Sequence, residues 1–163
     1  MARKRTKKST PPAVLIAEDE PTVRTLAEWI IGELGYTTLS ATNAREAIAL
    51  LGEGAPIVLL FTDINMPDGP DGLDGLELAR RAVEFSPDLR VIYTTGGALT
   101  DGMTALFVEG ATFLRKPRRA KARLGGMRKF ARTTLNGRAP GHRVPADAKE
   151  ASGSANRDYS RRG

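Results

Sequence analysis

Apolar residues fall along this chain in two alternating rhythms. Ala13-Val-Leu-Ile-Ala17 is a short continuous apolar run, the pattern of a strand buried on both faces. Val23, Leu26, Ala27, Ile30, Ile31 and Leu34 then recur at helical spacing, with Pro21 near the first turn and Gly35 at the end. Thr37–Ala41 predicts a second strand. Asn43-x-x-Glu46 resembles a capping box opening a helix that buries Ala44, Ala47, Ile48 and Leu51. Pro56 breaks the chain before a third buried strand, Ile57–Phe61, which ends at Thr62-Asp63. The turn-rich Pro67–Gly75 leads to a helix through Leu76, Ala79, Ala82 and Val83, and Pro87 precedes a fourth strand, Arg90–Thr94. A weaker helix near Asp101–Val108 leads through Gly110 to a fifth strand, Thr112–Arg115, stopped by Lys116-Pro117. A last helix uses Leu124, Met127, Phe130, Ala131 and Leu135, although Gly125-Gly126 cost it about 1 kcal/mol each relative to Ala.

Strand and helix thus alternate five times, which implies an α/β fold: a five-stranded parallel sheet with right-handed crossovers, doubly wound as (βα)5 in the flavodoxin-like manner. The 163 residues suit one domain. Residues 13–135 hold the apolar periodicity and are expected to fold. Residues 1–12 are expected to form a disordered basic arm and residues 136–163 a disordered basic tail, because neither carries enough apolar surface to offset its ordering entropy.

Composition narrows the chemistry. The chain has no cysteine, which removes disulfides, thiolate metal sites and cysteine nucleophiles. Its single histidine, His142, lies in a Pro/Gly-rich stretch, so histidine-based metal sites and Ser-His-Asp catalysis lack parts. The longest apolar runs are five residues, against about 20 for a membrane span. The basic start imitates a signal peptide, but the apolar run behind it stops at Glu18-Asp19-Glu20. A cytoplasmic protein is expected. The net charge of +6 hides a division: residues 11–114 carry five basic and sixteen acidic side chains, net −11, while residues 115–163 carry fifteen basic and three acidic, net +12. An acidic body is flanked by basic segments.

Sites in open α/β sheets form at the carboxyl ends of the strands. Just past the predicted strands stand Glu18-Asp19 after the first, Asp63 after the third, Thr94-Thr95 after the fourth and Lys116 after the fifth. Two like charges 4 Å apart repel by about 4 kcal/mol at an effective dielectric of 20, and Lys116 offers one positive charge against three negatives. A hard divalent cation relieves this, and carboxylates without His or Cys suit Mg²⁺. Carboxylates, Mg²⁺, an ammonium and a hydroxyl make a phosphoryl site in which a carboxylate serves as nucleophile.

Glu18-Asp19, Asp63-Ile-Asn-Met66-Pro67, Leu73-Asp74-Gly75, Thr95-Gly96 and Lys116-Pro117 resemble the signature of the receiver domain of two-component response regulators, over roughly residues 13–117. The resemblance implies that Asp63 is the phospho-acceptor, taking a phosphoryl group from a sensor histidine kinase or histidine phosphotransfer protein as an acyl phosphate. It implies that Glu18, Asp19, Asp63 and the backbone carbonyl of Asn65 hold Mg²⁺, that Thr95 bonds the phosphoryl group, that Lys116 pairs with it, and that the Lys116–Pro117 peptide is cis. Phe113, three residues before Lys116, matches the aromatic switch residue of the family. Such a protein is not an enzyme beyond catalysing its own phosphorylation and dephosphorylation. The turn from Asp68 to Gly75 is a few residues longer than the family's, and the basic final helix with its two glycines is unusual, leaving the output partner and any homodimer open.

Each residue also has a plainer reading. Asp63 alone is a turn residue or helix cap; its alignment with Glu18-Asp19 and Lys116 argues otherwise. Glu18-Asp19 before Pro21 also suits a helix start. Thr94 and Thr95 compete for one role, and Gly96, which leaves room for a phosphoryl group, favours Thr95. Phe113 is a core residue whatever its signalling role. The acids Asp68, Asp71, Asp74 and Glu77 do not follow the calcium-loop template. A dehalogenase-type phosphatase needs a second Asp where this chain has Asn65. The reading is a stand-alone receiver; the alternative is a receiver-gated nucleic-acid-binding regulator acting through its basic flanks.

Overall fold

A computed structural model of the protein describes residues 11–67 and 73–116, together with 128, 129, 132 and 133. Five strands, β1 (Ala13–Ala17), β2 (Thr37–Ala41), β3 (Ile57–Asp63), β4 (Arg90–Thr95) and β5 (Thr112–Arg115), alternate with helices α1 (Pro21–Glu33), α2 (Ala44–Gly52), α3 (Gly75–Phe85) and α4 (Asp101–Ala105). The strands form one parallel sheet in the order β2-β1-β3-β4-β5. The continuous apolar runs occupy its centre, and every residue of β1 is buried. The mixed sequence of β2 and the short β5 lie at the edges.

Side chains alternate across the sheet and divide the core. Val14 and Ile16 join Leu59, Phe61 and Ile92 against Val23, Ala27, Ile30 and Ile31 of α1. Leu15 and Ala17 join Leu60, Val91 and Tyr93 against Ala44 and Ala47 of α2 and Leu78, Ala79 and Ala82 of α3. Helices therefore cover both faces, as the doubly wound flavodoxin-like fold requires. Each large aliphatic side chain buried this way is worth about 1.5–3 kcal/mol, which is what fixes the strand register.

Local chemistry sets the element ends. Gly35 takes a φ of 87° just past Leu34, the cap of α1. Asn43 caps α2 by accepting from the Glu46 N–H at 2.9 Å. The return bond differs from a capping box: Glu46 Oε2 accepts from the N–H and hydroxyl of Thr42, at 2.7 and 2.9 Å, one residue earlier than the box places it. Asp74 caps α3 through the Glu77 N–H. Three elements depart from the expected lengths. β3 runs two residues past Phe61, because Thr62 and Asp63 are still paired in register with Tyr93 and Thr94. β4 runs one residue further, because Thr95 is still paired in register with Arg115. α4 stops at Ala105 instead of reaching Val108, because the chain tightens so that Phe107 stacks on Tyr93 with ring centroids 4.3 Å apart. The last predicted helix, with Leu124, Met127, Phe130, Ala131 and Leu135, lies outside the described residues, although its Arg128, Lys129, Arg132 and Thr133 are helical. Both termini, and with them His142, also lie outside the described residues. Among the described residues no helix is long and apolar enough to cross a membrane.

Candidate functional site

The strand order reverses between β1 and β3: the chain moves from β1 to β2 on one side, then returns to β3 on the other. A crevice opens outside the carboxyl ends of strands at such a point. Glu18 follows β1 directly and is fully buried, its N–H donating to the Ala41 carbonyl at the end of β2. Asp19, one residue on, is partly exposed. Asp63 closes β3 and is 6% exposed. One oxygen from each of these three carboxylates falls within a cluster 4.8 Å across.

Lys116 reaches them from beyond β5. Its N–H donates to the Thr95 carbonyl at 2.9 Å, which continues the β4–β5 ladder and aims the side chain along the rim. Its Nζ lies 2.6 Å from Glu18 Oε2 and 2.7 Å from Asp63 Oδ2. Burial pushes the Glu18 carboxyl above its ordinary value, and Lys116 offsets part of that rise. One ammonium faces three carboxylates, so the rim keeps a net negative charge among hard oxygen donors. That donor set fits Mg²⁺: carboxylates close enough to share an ion, no soft ligand, and an open side at Asp19 for waters.

The second half of the site is built on the turn after β3 and the end of β4. Asp63 Oδ1 accepts from the Asn65 N–H at 3.1 Å. Thr95, fully buried, accepts at Oγ1 from Asn65 Nδ2 at 2.5 Å and from the Gly97 N–H at 3.1 Å. Thr94 instead donates to the Thr62 carbonyl at 3.3 Å and so takes no part at the rim. Gly75 packs against the backbone beneath Asp63, where a Cβ would stand 1.9 Å from the Asp63 carbonyl oxygen. Phe113 is partly buried, its ring 6.2 Å from Phe107. Phe107 joins it to Tyr93, whose hydroxyl accepts from the Val108 N–H at 3.4 Å and is pushed by burial up to about 12.

Glu18, Asp19, Asp63, Asn65, Thr95 and Lys116 thus converge, while Phe113 stands off in the aromatic row behind β4 and β5. The Lys116–Pro117 peptide and the acids Asp68 and Asp71 lie outside the described residues. Asp74 and Glu77 are taken up by helix α3, the first as its cap and the second by Arg80 and Arg81. Sequence reading missed two participants. The Asn65 side chain, which the sequence gives no partner, donates to the Thr95 hydroxyl. Arg24, read only as a charge, donates through Nη1 to the carbonyls of Glu18 at 2.8 Å and Asp19 at 3.4 Å. Its signal was position: the second turn of a helix that starts two residues after the acidic pair.

Comparison with known proteins points the same way. The family described as "Response regulator receiver domain" matches residues 14–124. The response regulator receiver protein CpdR of Brucella abortus is 40% identical over 85 residues, 52% of this chain and 67% of that protein. The response regulator PilR of Pseudomonas aeruginosa is 35% identical over 127 residues, 77% of this chain but only 26% of the relative. Among solved structures, a response regulator receiver protein from Sinorhizobium medicae superposes with a TM-score of 0.62 at 23% identity, covering 74% of this chain and 94% of that one. The receiver domain of the hybrid histidine kinase CckA gives 0.53 at 30% identity, covering 73% and 97%. With the matched segment spanning the sheet and every residue of the acidic rim, the chain belongs to the response regulator receiver domain family of two-component systems.

Proposed function

We propose that Asp63 accepts a phosphoryl group from the phosphohistidine of a sensor histidine kinase or histidine phosphotransfer protein, in a Mg²⁺-dependent reaction, and that the phosphorylated conformer signals to a partner. The observation that carries this reading is the meeting of Glu18, Asp19 and Asp63 with the Lys116 ammonium at one rim. An Asp63 carboxylate oxygen attacks phosphorus, the phosphorus–nitrogen bond breaks, and its electron pair returns to the leaving imidazole; the product is an acyl phosphate. Glu18, Asp19, Asp63 and the Asn65 carbonyl would hold Mg²⁺, which when bound would supply positive charge against the phosphoryl oxygens. Lys116, already 2.7 Å from Asp63, pairs with another of those oxygens. The Thr95 hydroxyl, which accepts from Asn65 in the resting site, rotates to donate to the phosphoryl group. The modification adds about −1.5 to −2 charge. Thr95 moves inward with it, Phe113 follows, and the face around β4 and β5 changes, so a partner that prefers this conformer shifts the population.

Acetyl phosphate replaces the kinase in a direct test. Incubation with Mg²⁺ is expected to add one phosphoryl mass to the intact protein, removable by hydroxylamine and absent from Asp63→Asn. A folded wild-type chain that stays unmodified overturns the reading.

A further inference from the structure

Helix α1 begins immediately after the acidic pair, yet it is the one described helix whose N-terminal residue offers no side-chain cap. Asn43, Asp74 and Thr100 each accept from a backbone N–H of the helix they open, whereas Glu20 makes no such bond and the first turn of α1 holds no acid. The turn that presents Glu18 and Asp19 must therefore be held in another way. Within it, the Glu20 N–H reaches Glu18 Oε1 at 3.3 Å. The carbonyls of Glu18 and Asp19 lie beyond the last paired residue of β1, Ala17. Arg24 supplies their donor, with Nη1 2.8 Å from one oxygen and 3.4 Å from the other. Its own N–H also donates to the Glu20 carbonyl at 3.0 Å, so Arg24 grips the turn by both main chain and side chain.

We infer that Arg24 is a positioning residue for the metal site: its guanidinium pins the carbonyls of Glu18 and Asp19 and so orients their carboxylates toward the ion. The inference rests on the Mg²⁺-dependent receiver reading. The direction of two carbonyls fixes the peptide planes on either side of Asp19, and with them the direction in which its partly exposed carboxylate leaves the chain. Both bonds leave the single nitrogen Nη1, whose two hydrogens are fixed in the guanidinium plane, a set direction that the freely rotating ammonium of a shorter lysine does not reproduce. A positive charge near a cation site opposes binding by Coulomb repulsion, so the sign of the effect separates two roles. Removing a bystander charge tightens magnesium; removing a positioning residue weakens it.

The test is the dissociation constant for Mg²⁺ alone, measured calorimetrically on the full chain for wild type, Arg24→Ala and Arg24→Lys, alongside thermal melts without metal. Loss of an outer partner of a metal ligand typically costs 10–100-fold in affinity. About tenfold weaker binding is expected for Arg24→Ala, with Arg24→Lys between it and wild type. In acetyl phosphate labelling the half-saturating Mg²⁺ concentration rises by the same factor, while the rate at saturating Mg²⁺ stays within about twofold of wild type. If Arg24→Ala melts too low to assay, Arg24→Lys decides, since it keeps the charge and loses the fixed planar donor. Unchanged or tighter binding in the folded variants overturns the inference and leaves the receiver reading standing. Wild-type protein that binds no Mg²⁺ overturns both.

Discussion

Glu18 shows what a buried acidic rim costs a small fold. The carboxyl is fully buried, carries a raised pKa chiefly because of that burial, and lies beside Asp63, whose charge raises it further; Lys116, 2.6 Å away, and to a lesser degree the Glu20 N–H work in the other direction. A carboxylate whose folded pKa lies above its ordinary 4.5 imposes no penalty below pH 4.5, and an increasing one as pH rises through the folded value. Glu18→Gln removes the charge and keeps the shape, while Lys116 retains Asp63 as its partner. Without magnesium the variant is expected to be more stable than wild type at pH 7.5 by about 1 kcal/mol, the usual gain where a functional group is strained. The gain should shrink toward zero near pH 4. Paired urea denaturations at the two pH values measure it, and a variant less stable than wild type at pH 7.5 contradicts the argument. Most of this site was legible from residue types at strand ends, since Glu18-Asp19, Asp63 and Lys116 each stand at the carboxyl end of a predicted strand. Arg24 and the Asn65 amide were not. They act through hydrogen bonds to a carbonyl pair and to a hydroxyl, contacts that depend on turn geometry and leave no periodic trace.

Elements read from the pattern of apolar residues emerge with nearly the expected bounds where burial alone decides them. β1, β2 and β5 coincide with the segments that predict them, and α1 holds five of the six residues of its apolar face, the sixth, Leu34, being its cap. α4 fails for a reason the pattern does not contain: Leu106, Phe107 and Val108 continue the helical spacing, but Phe107 gains more by stacking on Tyr93 than by completing a turn. α3 is governed by steric contact at its first residue. Gly75 donates to the Ile64 carbonyl at 3.3 Å, and a Cβ there would overlap the Asp63 carbonyl oxygen and approach Ile64 Cα at 3.0 Å. Both obstacles are backbone, so neither can swing aside. Gly75→Ala is expected to destabilise the fold by about 2 kcal/mol, the middle of the range for overpacking, and to slow acetyl phosphate labelling by displacing Asp63. Gly32, inside α1 with nothing within 4 Å of its missing Cβ, is the control. Its alanine variant should gain about 0.5–1 kcal/mol. Equal urea midpoints for Gly75→Ala and wild type would show that α3 does not rest on the site.

At the scale of the molecule, charge is distributed so that the acidic body works against itself where it works chemically. The net charge of −11 over residues 11–114 surrounds a rim that already holds three carboxylates, and the compensating +12 lies in residues 115–163. A described part of that basic segment touches the body at a distance from the site: Arg128 pairs with Glu33 and lies 5.0 Å over the Trp29 ring on α1. Within the rim, the Lys116 ammonium contacts the carboxylates of Glu18 and Asp63. A divalent ion that binds the folded rim and not the unfolded chain therefore stabilises the whole fold by mass action, by about 2.7 kcal/mol at one hundred times its dissociation constant. For a domain of this size that corresponds to a rise in Tm of roughly 10 °C. The expected result is a melting temperature that climbs with Mg²⁺ and falls back on adding EDTA. Asp19→Asn should flatten the climb, because Asp19 is the partly exposed member of the cluster and its loss leaves the core intact. A wild-type Tm indifferent to Mg²⁺ would remove the ion from this rim. An Asp19→Asn curve that still climbs like wild type would mean that magnesium stabilises the chain from another place, and that the three carboxylates are balanced by Lys116 alone.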